Sequence, residues 1–195
     1  MTVITPVNKE TIPYVTVLLT SLGINCTEHI DVFLDHSALS EEDISLIRSS
    51  IAEYNITLYS EVYNDDNALF LTYDMIINKP LIEKSLSSQN EIPIISAWNA
   101  HSSGMTYQEI KEFATIIQYD CSKPWGNSNF HYDIEKIWWE YAKKTPFYDA
   151  LLKFFIRTAF EDSSVEDFIR ELIAETTAQK KQLNDIMNKF RATYK

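Results

Sequence analysis

Residues 3–72 alternate between two hydrophobic periods, and that alternation constrains the fold more than any other feature. "VIT" (3–5), "IDVFLDH" (30–36), "ITLYSEVY" (56–63) and "ALFLT" (68–72) are short runs rich in β-branched and aromatic residues, which read as strands. Between them, "IPYVTVLLTSLGIN" (12–25) sets Ile12, Val15, Leu18, Leu19 and Leu22 at helical spacing. "SEEDISLIRSSIAEYN" (40–55) does the same with Ile44, Ile47, Ile51 and Tyr54, and opens on Ser40 and Asp43, close to a capping box. Gly23 is placed to end the first helix. This βαβαβ order predicts an α/β fold with a mainly parallel sheet and helices packed on it.

The rest of the chain is less regular, then helical. "KPLIEKSLSS" (79–88) reads as a short helix with Pro80 near its start, "IPIISAW" (92–98) as a strand and "NAHSSGM" (99–105) as a loop. A short helix (107–113), the strand "ATIIQY" (114–119) and the loop "CSKPWGNSN" (121–129) follow. Helices are expected over 133–144, over 145–160 with Thr145 as N-cap and Pro146 at the first helical position, and over 163–195 from a second capping box, Ser163 and Glu166. The chain therefore divides into an α/β domain, 1–132, and a C-terminal helical extension, 133–195, packed on it.

Composition removes several function classes. The net charge of −11 disfavours nucleic acid, because phosphate contacts need a basic face. Cys26 and Cys121 stand far apart, and His29, His36, His101 and His131 are scattered, so neither a disulfide framework nor a zinc motif is present. The three glycines, Gly23, Gly104 and Gly126, are too dispersed for a dinucleotide fingerprint or a Walker loop. A bound nucleotide would have its phosphates held by side chains and a metal. No apolar run has the length of a membrane span and no secretory leader is visible, so a cytoplasmic chain is the default expectation.

Three stretches carry candidate chemistry. Asp74 follows the apolar run Ala68–Leu71; it reads as a turn residue or as a metal or ribose ligand. In "IIQYDCSKPW" (116–125), a strand delivers Gln118 and a loop carries Asp120, Lys123 and Trp125; a packing anchor and a phosphate contact are both open. The belt "IWWEYAKKTPFYDALLKFF" interleaves aromatics with Lys143, Lys144 and Lys153. Core packing explains it, and the sharper alternative is peripheral contact with the inner face of the membrane, aided by Lys180, Lys181, Lys189, Arg191 and Lys195.

Several stretches together resemble bacterial members of glycosyltransferase family 8, the lipopolysaccharide and general-stress-type sugar transferases. "VNKETIPYVTVLLTSL" (7–22) is similar to that family's opening segment, "IDVFLDHSALSEEDISLIRSSIAEYNITLY" (30–59) to its second βα unit, and "LFLTYDMIINKPL" (69–81) to the segment around its DxD motif. "ATIIQYDCSKPWGNSNFHYDIEKIWWEYAKKTPFY" (114–148) resembles its C-terminal IIHxxGxxKPW motif and the aromatic helix behind it. The resemblance implies a Rossmann-like GT-A fold that binds a UDP-sugar with Mn²⁺ or Mg²⁺ and transfers the sugar to a glycan or lipopolysaccharide acceptor, the metal stabilising the leaving UDP.

Carried onto this chain, the resemblance makes Asp74 the metal ligand, with Thr72 and Gln118 at substituted ligand positions. Lys123, Trp125 and Asn8 become the nucleotide and diphosphate contacts, and no catalytic residue is assigned. The links between Tyr63 and Ala68 and between Leu81 and Ile92 are much shorter than the family's, so the expected fold is a trimmed one. The implied function is sugar transfer that is weak or lost, a pseudoenzyme. The alternative is a non-catalytic interaction protein, a homo-oligomer or a subunit pairing with an active transferase.

Overall fold

The computed structural model describes residues 1–36, 39–60, 68–81, 92–120, 123–126 and 133–160. β1 (Thr2–Pro6) lies beside β2 (Ile30–Asp35), and β3 (Ile56–Tyr59) lies beyond β2. β4 (Leu69–Phe70) pairs with the other edge of β1. All three pairings are parallel, in the order β3-β2-β1-β4. The chain steps outward from β1 to β3, then crosses back to the far side of β1. The strand order therefore reverses between β1 and β4, and in open α/β sheets ligands sit in the crevice past the carboxyl ends of such a pair.

A second sheet follows from β5 (Met75–Ile77), β6 (Ile94–Ser96) and β7 (Ile116–Gln118), in the order β5-β7-β6. Its central strand, β7, is antiparallel to β5 and parallel to β6. The helices are α1 (Ile12–Asn25), α2 (Glu41–Ser50), α3 (Ala97–Ser103), α4 (Tyr107–Phe113), α5 (Asp133–Ala142) and α6 (Tyr148–Phe160).

α1 is buried on more than one face, which explains its apolar composition. Leu18, Leu19 and Leu22 pack into a core with Val3, Val32 and Ile47, while Val17 joins a second core with Ile76, Ile117 and Trp138. Two of its three buried hydroxyls find partners within the helix: Thr16 Oγ1 donates to the Ile12 carbonyl (2.8 Å) and Ser21 Oγ to that of Leu18 (2.6 Å). Ile134, Ile137 and Trp138 of α5 share the second core with Tyr119, so α5 is an integral wall of it. Cys26 is a buried free thiol, its pKa raised first of all by burial, as an inert packing residue should be.

The parallel order and the Ser40–Asp43 capping box agree with the sequence reading, and a second box, Thr106–Glu109, opens α4. Several expectations are corrected. α1 passes through Gly23 to Asn25; a Cβ at Gly23 would stand 2.3 Å from the Tyr54 Cγ, so the glycine admits that ring. The strand expected over 92–98 stops at Ser96, and the expected loop 99–105 is mostly helix. Ser96 Oγ accepts from the Asn99 N–H (3.2 Å), Ala97 and Ala100 are buried, and Gly104 closes α3 at φ 63°. β5 follows directly on the turn at Asp74, where no strand was expected. α6 starts at Tyr148, because the Thr145 hydroxyl donates back to the Ala142 carbonyl (2.8 Å) and closes α5. The expectations for 61–63, 82–88, Cys121, His131 and 163–195, with Ser163 and Glu166, lie outside the described residues.

Candidate functional site at the β1–β4 crevice

Asn8 follows β1 and holds the entry to α1. Its Oδ1 accepts from the backbone N–H groups of Glu10 and Thr11 (both 3.0 Å), and its own N–H donates to Thr11 Oγ1 (2.9 Å). Across the crevice, the Leu71 N–H donates to the Ile4 carbonyl (2.9 Å) as β4 runs out, and the Met75 N–H donates to that of Thr72 (3.0 Å). The resulting turn presents Thr72 and Asp74 at the carboxyl end of β4. The Tyr119 N–H donates to the Asp74 carbonyl (2.8 Å), which ties this turn to the end of β7.

The chain then returns through Lys123. Its ammonium donates to Asp74 Oδ2 (2.7 Å) and to the Tyr119 carbonyl (2.6 Å). The Thr72 hydroxyl donates to Asp74 Oδ1 (2.5 Å). Both oxygens of the carboxylate are therefore engaged. The Asp74 side chain is 16% exposed and that of Lys123 33%, so the pair borders the crevice and stays within reach of solvent. The Tyr73 ring lies with its centroid 5.9 Å from the same ammonium.

Trp125 is buried and stacks on Tyr14 of α1, with ring centroids 4.2 Å apart and planes 22° apart. It also meets Trp138 of α5 at 5.0 Å and Tyr73 at 6.1 Å. The Gly126 N–H closes a turn onto the Lys123 carbonyl (2.8 Å), and Trp139 Nε1 donates to the Pro124 carbonyl (3.0 Å). These bonds fix the loop from Lys123 to Gly126 against α5. Gln118 stands opposite Met75 in the β5–β7 ladder, and no hydrogen bond joins it to Asp74. The structure thus brings Thr72, Asp74 and Lys123 together. It gives Trp125 a packing role beside them, while the side-chain bonds of Asn8 stay within its own turn after β1. Tyr14 and Tyr73 were missed from sequence; the available signal was an aromatic lodged between the two candidate ligands Thr72 and Asp74.

These side chains are a poor match for a resident Mn²⁺ or Mg²⁺. Hard cations take about six or more oxygen ligands, usually with more than one carboxylate. Here the single carboxylate already accepts from a hydroxyl and from an ammonium, which occupies a counterion position. Among the described residues, no three His, Cys, Asp or Glu side chains converge.

No protein-family model and no curated protein matches the sequence. Among solved structures, the chain is similar to an apo structure of WbbM, a bifunctional glycosyltransferase, at TM-score 0.55 and 8% identity. The match covers 78% of this chain and 51% of that one, so the chain spans about half the length of the protein it resembles. The fold is an α/β fold of the glycosyltransferase, GT-A-like type. At that identity the likeness concerns the fold. Among the described residues, no helix is long and apolar enough to cross a membrane.

Proposed function

We propose that the chain is a nucleotide-sugar-binding protein of the glycosyltransferase family 8 kind, whose own transfer of a sugar from a UDP-sugar to a glycan or lipopolysaccharide acceptor is weak or lost. The observation that carries this reading is the Thr72–Asp74–Lys123 constellation at the switch point of a GT-A-like sheet. Asp74 holds the Lys123 ammonium at the crevice, where a point charge suits a diphosphate. Trp125, stacked on Tyr14, stiffens the loop that carries it. No step is assigned to a metal, because the donor set does not suit one.

The test is calorimetric titration of the protein with UDP, with and without Mn²⁺. UDP is expected to bind in both conditions, and Lys123→Met to weaken it by about tenfold or more, the loss of one charge-assisted hydrogen bond. Binding that appears only with Mn²⁺ and vanishes in Asp74→Ala would restore the metal role of Asp74. No binding in either condition would favour a second reading, a non-catalytic interaction protein. That reading draws on Phe70, Ile94, Trp98 and Phe113, large apolar side chains all more than half exposed. Light scattering that finds a stable dimer would support it.

A further inference from the structure

A cavity of about 490 Å³ lies on the other side of the Lys123–Gly126 turn, between that turn and the α5 and α6 helices. We infer that it binds a sugar carrying a phosphate or carboxylate group. Its part in the chemistry, as the acceptor of the transferred sugar, rests on the transferase reading; the binding itself does not.

The size falls within the usual range for small-ligand sites, about 300–1,000 Å³. The walls supply rings. Trp139, Tyr148 and Phe155 line the cavity and meet edge to face, Trp139 with Tyr148 at 6.2 Å and 79° and with Phe155 at 5.4 Å and 64°. The indole of Trp139 is pinned by its bond to the Pro124 carbonyl, so this platform is set before a ligand arrives. A pyranose has an apolar C–H face that packs on such rings, and hydroxyls that need a polar rim.

The rim supplies positive charge. Lys123, Lys136 and Lys143 border the cavity in a chain whose net charge is −11. Two carboxylates border it as well. Glu140 is engaged elsewhere: it accepts from the Tyr107 hydroxyl (2.6 Å) and lies 3.4 Å from the Lys111 ammonium; Glu135 is buried beside the His101 ring, so three lysines face two carboxylates at this rim. Lys143 is exposed and forms no ion pair among the described residues. Lys123 belongs both to this rim and to the Asp74 pair, so a ligand in the cavity ends beside the crevice.

The experiment follows tryptophan fluorescence of the full chain titrated with glucose 6-phosphate and with glucuronic acid, against glucose and inorganic phosphate as controls. Saturable quenching by the charged sugars is expected, tighter than by either control. Lys143→Gln, a change at an exposed side chain, should weaken it about fivefold, and Tyr148→Ala about tenfold. Arg48→Gln, which removes a positive charge from α2 and does not touch the cavity, should leave it within about twofold. Any of four results would overturn the inference: no quenching at millimolar ligand, equal affinity in both cavity variants, inorganic phosphate binding as well as the sugar phosphate, or loss in Arg48→Gln. A chain that binds the sugar phosphate but not UDP would keep this site and sink the transferase reading. The reverse would do the opposite.

Discussion

Asp74 and Lys123 are separated by 49 positions, yet they share a 2.7 Å ion pair. Removing the lysine leaves a mostly buried carboxylate with the Thr72 hydroxyl as its side-chain partner. Lys123→Met is expected to cost about 1–2 kcal/mol, below the figure for a fully buried pair because solvent reaches this one. Urea unfolding of Lys123→Met, Asp74→Asn and the double variant gives the coupling energy; a value near zero would mean the pair is only a neighbourly contact. Gly23 is a sharper case. In Gly23→Ala the new methyl meets the Tyr54 ring at 2.3 Å, so either the ring or α1 must shift. A loss of about 1–3 kcal/mol is expected from such overpacking, and thermal unfolding measures it.

At the scale of elements, helix starts are decided by a few polar atoms. The Asp43 carboxyl is held below its ordinary value by the Ser40 hydroxyl and then the Ser40 N–H, and that of Glu109 by the Thr106 N–H and then its hydroxyl. A lowered folded pKa means the contribution is present above the ordinary carboxylate value and lost as pH falls through the lowered one. Asp43→Asn should therefore be less stable than the parent at neutral pH, with the difference closing as pH drops through the carboxylate range. Acid unfolding followed by circular dichroism at several pH values checks this, and a difference that does not depend on pH would refute it. In α3, a seven-residue helix, Ser96 Oγ accepts from the Asn99 N–H and Asp120 Oδ1 from the Trp98 N–H (3.3 Å). Ser96→Ala should cost about 1 kcal/mol by urea unfolding.

At the scale of the molecule, α1 joins the two cores, and Asn25 at its end joins three elements. The Asn25 amide nitrogen lies 2.9 Å from the Ser21 carbonyl, the Ile77 carbonyl of β5 and the Tyr141 hydroxyl of α5. Asn25→Ala leaves a β5 carbonyl and a half-buried junction without their donor. The expected loss is about 1–3 kcal/mol, and a broader urea transition would show that the two cores have become less coupled.

The strand–helix alternation, the face of α2, the Ser40 capping box and the want of a glycine-rich phosphate loop could all be read from the chain. Each rests on residues within a few positions of one another, where periodicity and local hydrogen bonds act without help from afar. The sequence also marked Asp74, Thr72 and Lys123 as candidates. It could not show that the lysine closes on the aspartate, since that depends on β5 and β7 pairing across some forty residues. β5 is three residues long, too short to display a period, and exists because β7 completes its hydrogen bonds. Gly23 looked like a helix end because local rules put glycine there; the Tyr54 ring, from a separate element, made it an interior contact. Local chemistry set the elements and the candidate side chains, and long-range pairing decided which of them meet.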